Sequence, residues 1–61
     1  MIKVSIRMKS GRIYPAIVEA LNFRNFVRDL EAAMKEGAIF FLLDDVALVM
    51  DDIEAVEPRE G

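Results

Sequence analysis

Two carboxylate pairs, Asp44-Asp45 and Asp51-Asp52, are the residues in this 61-residue chain whose type and spacing come nearest to a site for chemistry. Adjacent carboxylates attract divalent cations, but calcium asks for about six to eight oxygens, and no EF-hand-like spacing is present. Asp side chains that hydrogen-bond their own backbone in turns account for both pairs without any ligand. The hydroxyls open to nucleophilic work are Ser5, Ser10 and Tyr14. The chain has no His and no Cys, so a base for these hydroxyls and a thiolate alternative are both missing. The same absences remove the commonest zinc ligands and exclude disulfides. The three glycines, at 11, 37 and 61, do not form a phosphate-binding loop. These residues predict a protein that is not an enzyme, with no cofactor and no metal.

Charge is the next signal. Before Asp29 the chain carries Lys3, Arg7, Lys9, Arg12, Arg24 and Arg28 against the single acid Glu19; from Asp29 onward acids dominate, countered by Lys35 and Arg59. Lys3, Arg7, Lys9 and Arg12, together with Tyr14, are expected on one sheet face beside Phe40 or Phe41. Basic side chains interleaved with aromatics on a sheet are one way to bind single-stranded nucleic acid. Against this stand a pI near 4.7 and the acids at 44, 45, 51 and 52, which would flank the same sheet and repel phosphate. The competing explanations are an acidic protein partner and plain solvation of two oppositely charged surfaces.

These residues have to be positioned by elements, and the pattern supplies them. Ile2, Val4, Ile6 and Met8 alternate with Lys3, Ser5 and Arg7, the period of a strand with one apolar face. Ser10-Gly11 suits a two-residue hairpin turn. Closing it on Lys9–Arg12 sets Met8 opposite Ile13, Ile6 opposite Pro15 and Val4 opposite Ile17, with Tyr14 on the basic face. Pro15 then makes the second strand an edge strand. Asn22 is a good N-cap for a helix over about 23–36, whose stripe is Phe23, Phe26, Val27, Leu30, Ala33 and Met34. Gly37 ends it. Two short apolar runs, 38–43 and 46–50, read as a hairpin. Asp51 or Asp52 caps a last turn holding Ile53 and Val56, and 57–61 form a polar tail. The expectation is a single α+β domain over 1–61, in the order β-β-α-β-β. Its four-stranded antiparallel sheet has strand order 2-1-3-4, with the helix on one face.

The two runs of the second hairpin are apolar throughout, as in strands buried on both faces. Pairing Leu43 with Val46 puts Ile39, Phe41, Leu43, Val46, Leu48 and Met50 on one face, assigned to the helix. Ala38, Phe40, Leu42, Ala47 and Val49 take the other. One helix covers one face only, so Phe40, Leu42 and Val49 are left bare at an expense of roughly 5–9 kcal/mol of unrealised burial. Such a patch marks an interaction surface; the alternative is that the segment around Ile53 and Val56 folds over it. A chain this short, without disulfide or metal, gains most from self-association. The sequence therefore predicts a non-catalytic interaction or regulatory module that forms a homo-oligomer, a two-fold dimer in the first instance. Its interface is Phe40, Leu42 and Val49 with Tyr14. No apolar run reaches the roughly 20 residues of a membrane span, and a cytoplasmic location is the default expectation.

Overall fold

The computed structural model describes residues 1–43 and 45–59; Asp44 of the first carboxylate pair and Glu60 and Gly61 of the expected tail lie outside the described residues. The elements are β1 (Ile2–Met8), β2 (Ile13–Val18), α1 (Phe23–Lys35), β3 (Phe40–Leu42), β4 (Ala47–Val49), a 3-10 turn (Met50–Asp52) and β5 (Ile53–Pro58). The protein is a small α+β fold with one helix and antiparallel sheets. The four-stranded sheet in the order 2-1-3-4 does not form. Instead β2-β1-β5 make a three-stranded sheet, and β3-β4 make a separate two-stranded one.

The helix is where its pattern places it. The Asn22 side chain accepts a hydrogen bond from Asn25 N–H at 2.9 Å, satisfying one of the free donors of the first turn. At the other end Gly37 N–H donates to Met34 C=O and Ala38 N–H to Ala33 C=O. Those two bonds are a Schellman motif, which needs a left-handed residue after the cap; Gly37 supplies it with φ 87°. Phe26 and Leu30 are buried, with Phe23, Val27 and Ala33 half-buried beside them, while Met34 at the end of the stripe is exposed.

The first hairpin differs from expectation by one residue, and that one residue turns β2 over. Met8 N–H donates to Arg12 C=O at 2.8 Å and Gly11 N–H donates to Met8 C=O at 2.9 Å. The loop is therefore Lys9-Ser10-Gly11, a turn closed by a bulge that requires positive φ at its third residue. Gly11 has φ 94°. Ile2 now faces Val18, Ile6 faces Tyr14 and Arg7 faces Ile13. A slip of one residue exchanges the faces of a strand. Tyr14, Ala16 and Val18 thus point into the core, and Ile13, Pro15 and Ile17 point outward.

Residues 53–58, expected as a final turn and tail, form β5 alongside β1. Ile6 pairs with Val56 and Arg7 with Ala55, but Met8 pairs with Ile53, so the register shifts between Arg7 and Met8. This bulge brings Ile53 and Val56 to the same inner face although they are three residues apart. The turn precedes them: Asp51 and Asp52 lie inside the 3-10 segment, which has no side-chain cap. The Asp52 carbonyl accepts from Lys9 N–H at 2.7 Å, so the second carboxylate pair sits in a hydrogen-bonded turn.

The core is one cluster of Val4, Ile6, Met8, Ala16, Phe26 and Leu48, with Val4 and Ile6 fully buried. It joins the inner face of the three-stranded sheet to α1 and to the inner face of the β3-β4 hairpin. Among the described residues no helix is long and apolar enough to cross a membrane.

Gly11 and Gly37 make a clean test of the backbone account, because a Cβ at either would meet nothing within 4 Å. Gly11→Ala and Gly37→Ala should each lower stability by about 1–2 kcal/mol through left-handed strain alone. Gly37→Asn should lose less, since Asn tolerates that region. Urea midpoints of the three variants check this; losses within about 0.5 kcal/mol, the scatter of ordinary surface changes, would contradict it.

Candidate interaction site

The β3-β4 hairpin is held in the register its sequence predicts. Phe40 faces Val49, Phe41 faces Leu48 and Leu42 faces Ala47. Leu43 N–H donates to Val46 C=O at 2.7 Å, and Met50 N–H to Ile39 C=O at 2.8 Å. Alternation then divides the hairpin. Leu48 and Met50 are buried and Phe41 and Leu43 half-buried on the inner side, where Phe41 meets Phe26 edge-to-face with ring centroids 5.9 Å apart. Ile39 and Val46, assigned to the same side, are nonetheless exposed.

On the outer side Phe40 is 55% exposed, Leu42 74% and Val49 38%. The structure brings these three together. Tyr14 belongs to the other sheet, faces inward and packs against the core, and of the three it shares only a groove with Leu42. Its hydroxyl accepts a 3.3 Å hydrogen bond from the Arg12 guanidinium, which also lies 5.9 Å from its ring centroid.

A second apolar row was not legible as a surface. Ile13, Pro15 and Ile17 run along the outer face of β2, with Ile13 59% and Ile17 60% exposed. Beside them on β1 stand Lys3, opposite Ile17, and Arg7, opposite Ile13. Beyond that row, on β5, Glu54 and Glu57 approach Arg7 at 3.8 and 3.7 Å. These are exposed pairs of the kind worth about 0–1 kcal/mol, but they answer part of the charge segregation of the chain within the molecule itself. The outer face of the sheet is thus striped: apolar on β2, basic on β1, acidic on β5. Lys9 and Arg12 lie apart from it, around a hollow of about 720 Å³ at the first hairpin that Tyr14 and Asp52 also line.

Between β2 and the second hairpin runs a groove of about 740 Å³, with Ile17 and Val18 on one wall and Phe41, Leu42 and Val46 on the other. Of the hairpin patch only Leu42 reaches the groove, and of the β2 row Pro15 and Ile17 do. Acids mark the hairpin patch at both ends, Asp45 in the bend and Asp51 in the 3-10 turn, both exposed.

Neither edge of the three-stranded sheet is suited to recruiting another strand. The Met8–Arg12 bond marks even-numbered β1 residues as those bonded to β2, and the Arg59 N–H bond to Lys3 C=O at 3.0 Å marks odd-numbered ones as bonded to β5. Pro15, opposite Ser5, and Pro58, opposite Val4, therefore both sit where a strand's N–H would point outward. Proline removes that donor from each edge.

The basic row carries no aromatic among its described neighbours, now that Tyr14 points inward, and Arg7 faces two acids. Among the described residues no group of three or more His, Cys, Asp or Glu side chains could hold a metal ion. No protein-family model, no curated protein and no solved structure matches the chain, so the geometry above is what carries a functional reading.

Proposed function

We propose that this protein is a non-catalytic interaction module that self-associates through the outer face of its β3-β4 hairpin. The observation that carries the reading is the exposure of Phe40, Leu42 and Val49 side by side on one short sheet. Taking a side chain of this size from full exposure to burial is worth roughly 1.5–3 kcal/mol, of which about half is still to be gained at these three positions, a sizeable share of the stability of a domain this small. The surface area supports it. A folded monomer of 6.9 kDa is expected to expose roughly 4,000 Å², and this chain exposes 4610 Å². The excess approaches the roughly 800 Å² that each partner commits to a standard interface.

A binder of single-stranded nucleic acid is the weaker reading, because Tyr14 stands with Arg12 at the first hairpin while Lys3 and Arg7 lie on the outer face, where Arg7 already meets Glu54 and Glu57. An acidic partner meeting Lys3 and Arg7 is compatible with self-association if that partner is a second copy.

Sedimentation equilibrium tests the proposal. The wild type is expected above the protomer mass of 6.9 kDa, with a concentration-dependent fraction of protomer. Phe40→Asp and Leu42→Asp replace side chains external to the protomer, so each should keep its circular dichroism spectrum yet sediment as a protomer, since association would bury an unpaired charge. A wild type of protomer mass at every concentration defeats the proposal, and so does a folded Phe40→Asp variant that retains the assembled mass.

A further inference from the structure

We infer that two copies join edge to edge along β3, antiparallel about a two-fold axis at Phe41, so that the two β3-β4 hairpins become one continuous sheet. The inference rests on the self-association proposed above and specifies its geometry. The outer patches of the two copies then lie side by side on that sheet, and their side chains meet across the join.

The first observation is the backbone. Leu43 N–H donates to Val46 C=O and Met50 N–H to Ile39 C=O, which marks the odd-numbered residues of β3 as those bonded to β4. Phe40 and Leu42 therefore turn their N–H and C=O groups away from β4, and among the described residues no further strand takes them up. Ala47 and Val49 turn theirs outward from β4 in the same way. A row of unpaired donors and acceptors is a template for an extended chain. Proline blunts both edges of the three-stranded sheet, whereas the run 38–43 contains neither proline nor charge. The approach to β3 is open, because the groove of about 740 Å³ runs past Phe41, Leu42 and Leu43.

The second is a register in which β3 complements itself. Centred on Phe41, an antiparallel pair sets Phe40 against Leu42 of the second copy and Leu42 against its Phe40. Closed two-fold contacts are reciprocal in this way. Every outward N–H and C=O of the two residues is then used. A slip of two residues, the smallest that keeps like faces together, would pair Leu42 with Ala38. The Ala38 N–H is already given to Ala33 C=O, so that register loses a bond.

The third is what the register covers. Ile39 is 67% exposed although alternation puts it on the inner side, and it falls opposite Leu43 of the second copy. On the outer side Phe40 falls opposite Leu42. Cross-strand pairs of this kind are the unit of sheet stabilisation. The β4 edge has no such match. Centred on Leu48, it would pair Ala47 with Val49 and bring Asp45 towards Asp51 at both ends, and like charges set opposite one another destabilise a sheet.

Amide hydrogen exchange in the wild type, followed residue by residue across a dilution series, tests this. The amides of Phe40 and Leu42 are expected to exchange freely in the protomer and to gain protection in step with the dimeric fraction seen by sedimentation. Those of Ala47 and Val49, still at an edge, should remain unprotected. Leu42→Pro withdraws one outward donor at a position of the kind Pro15 and Pro58 already occupy, so it should stay folded by circular dichroism and lose the dimer. Leu42→Ala trims the side chain but keeps the donor, and should retain more of the dimer. Ala47→Pro, on the other edge, should retain it in full. Should Leu42→Pro prove unfolded, exchange in the wild type decides alone. A dimer in which the Phe40 and Leu42 amides stay unprotected overturns the inference while leaving self-association intact, and so does one that protects Ala47 and Val49 instead. A folded Leu42→Pro protein as dimeric as Leu42→Ala overturns it as well. A wild type that sediments at 6.9 kDa at every concentration removes the reading on which the inference rests, and the inference with it.

Discussion

Ile6→Ala is expected to remove half or more of the stability of the protomer. Ile6 is fully buried at the centre of the central strand, with Tyr14 opposite on one side and Val56 on the other. Truncating a buried isoleucine costs about 2–5 kcal/mol, the spread reflecting how far the surroundings collapse into the space. A domain of this length holds roughly 3–9 kcal/mol in total. Collapse is hindered here because Ile6 is flanked on both sides by hydrogen-bonded strands, which fix the backbone around the void. In a domain of this size 1 kcal/mol corresponds to about 4–8 °C of melting temperature, so a fall of at least about 8 °C is expected in a thermal melt followed by circular dichroism. Ile17→Ala, which removes a side chain of the same kind from the outer face, should shift the melt of the dilute protomer by only a few degrees. Equal losses at the two positions would mean that β2 is not turned as described.

That comparison also marks what the sequence made legible. The helix and the pairing register of the second hairpin were readable because their signals are local and mutually consistent, although the strands are shorter than the apolar runs. Asn22 and Gly37 bracket the stripe of α1, and pairing Leu43 with Val46 divides Phe40, Leu42 and Val49 from Phe41 and Leu48. The first hairpin was not, because Ser10-Gly11 and Lys9-Ser10-Gly11 are both acceptable loops, each with glycine where positive φ is needed. They differ by one residue of register, and β2 carries apolar residues on both faces: Ile13, Pro15 and Ile17 on one, Tyr14, Ala16 and Val18 on the other. The alternation that fixes a half-buried strand is absent there, so the pattern could not arbitrate. The fifth strand was hidden for another reason. Its inward residues, Ile53 and Val56, are spaced as on a helix because a bulge lies between them, and two glutamates and a proline give the segment the look of a tail. With β5 unseen, the place beside β1 went to β3.

For the candidate site the outcome followed from the same division. The patch on the hairpin lay within one well-defined element and could be named. The row on β2 depended on the one register that was ambiguous, and Tyr14 was assigned to the surface for the same reason.

Phe26→Ala is expected to act differently from Ile6→Ala, loosening the hairpin before the rest of the molecule. The two sheets share no ladder of strand hydrogen bonds, so side chains join them, and Phe26 stands at the junction. It is buried, it meets Phe41 of β3 edge-to-face at 5.9 Å, and its ring lies 6.4 Å from that of Phe23 at the start of α1. Phe→Ala in a core costs about 3–5 kcal/mol, with an aromatic pair contributing about 0.5–1.5 kcal/mol of that beyond area. An isolated two-stranded hairpin is marginal in water. Once Phe41 loses its seat, β3 and β4 should open locally while β2-β1-β5 stay paired. Native-state hydrogen exchange reads this directly: in Phe26→Ala the amides of Phe41, Leu43 and Leu48 should lose protection well ahead of those of Val4 and Ile6. In Ile6→Ala all of them should fall together. Because Phe40, Leu42 and Val49 ride on this hairpin, its opening also dismantles the proposed docking surface, and association must in turn stabilise the hairpin by mass action. Raising the protein concentration should therefore restore protection at Phe41 and Leu48 in Phe26→Ala. In Phe26→Ala/Phe40→Asp, where association is blocked, the same increase should restore nothing.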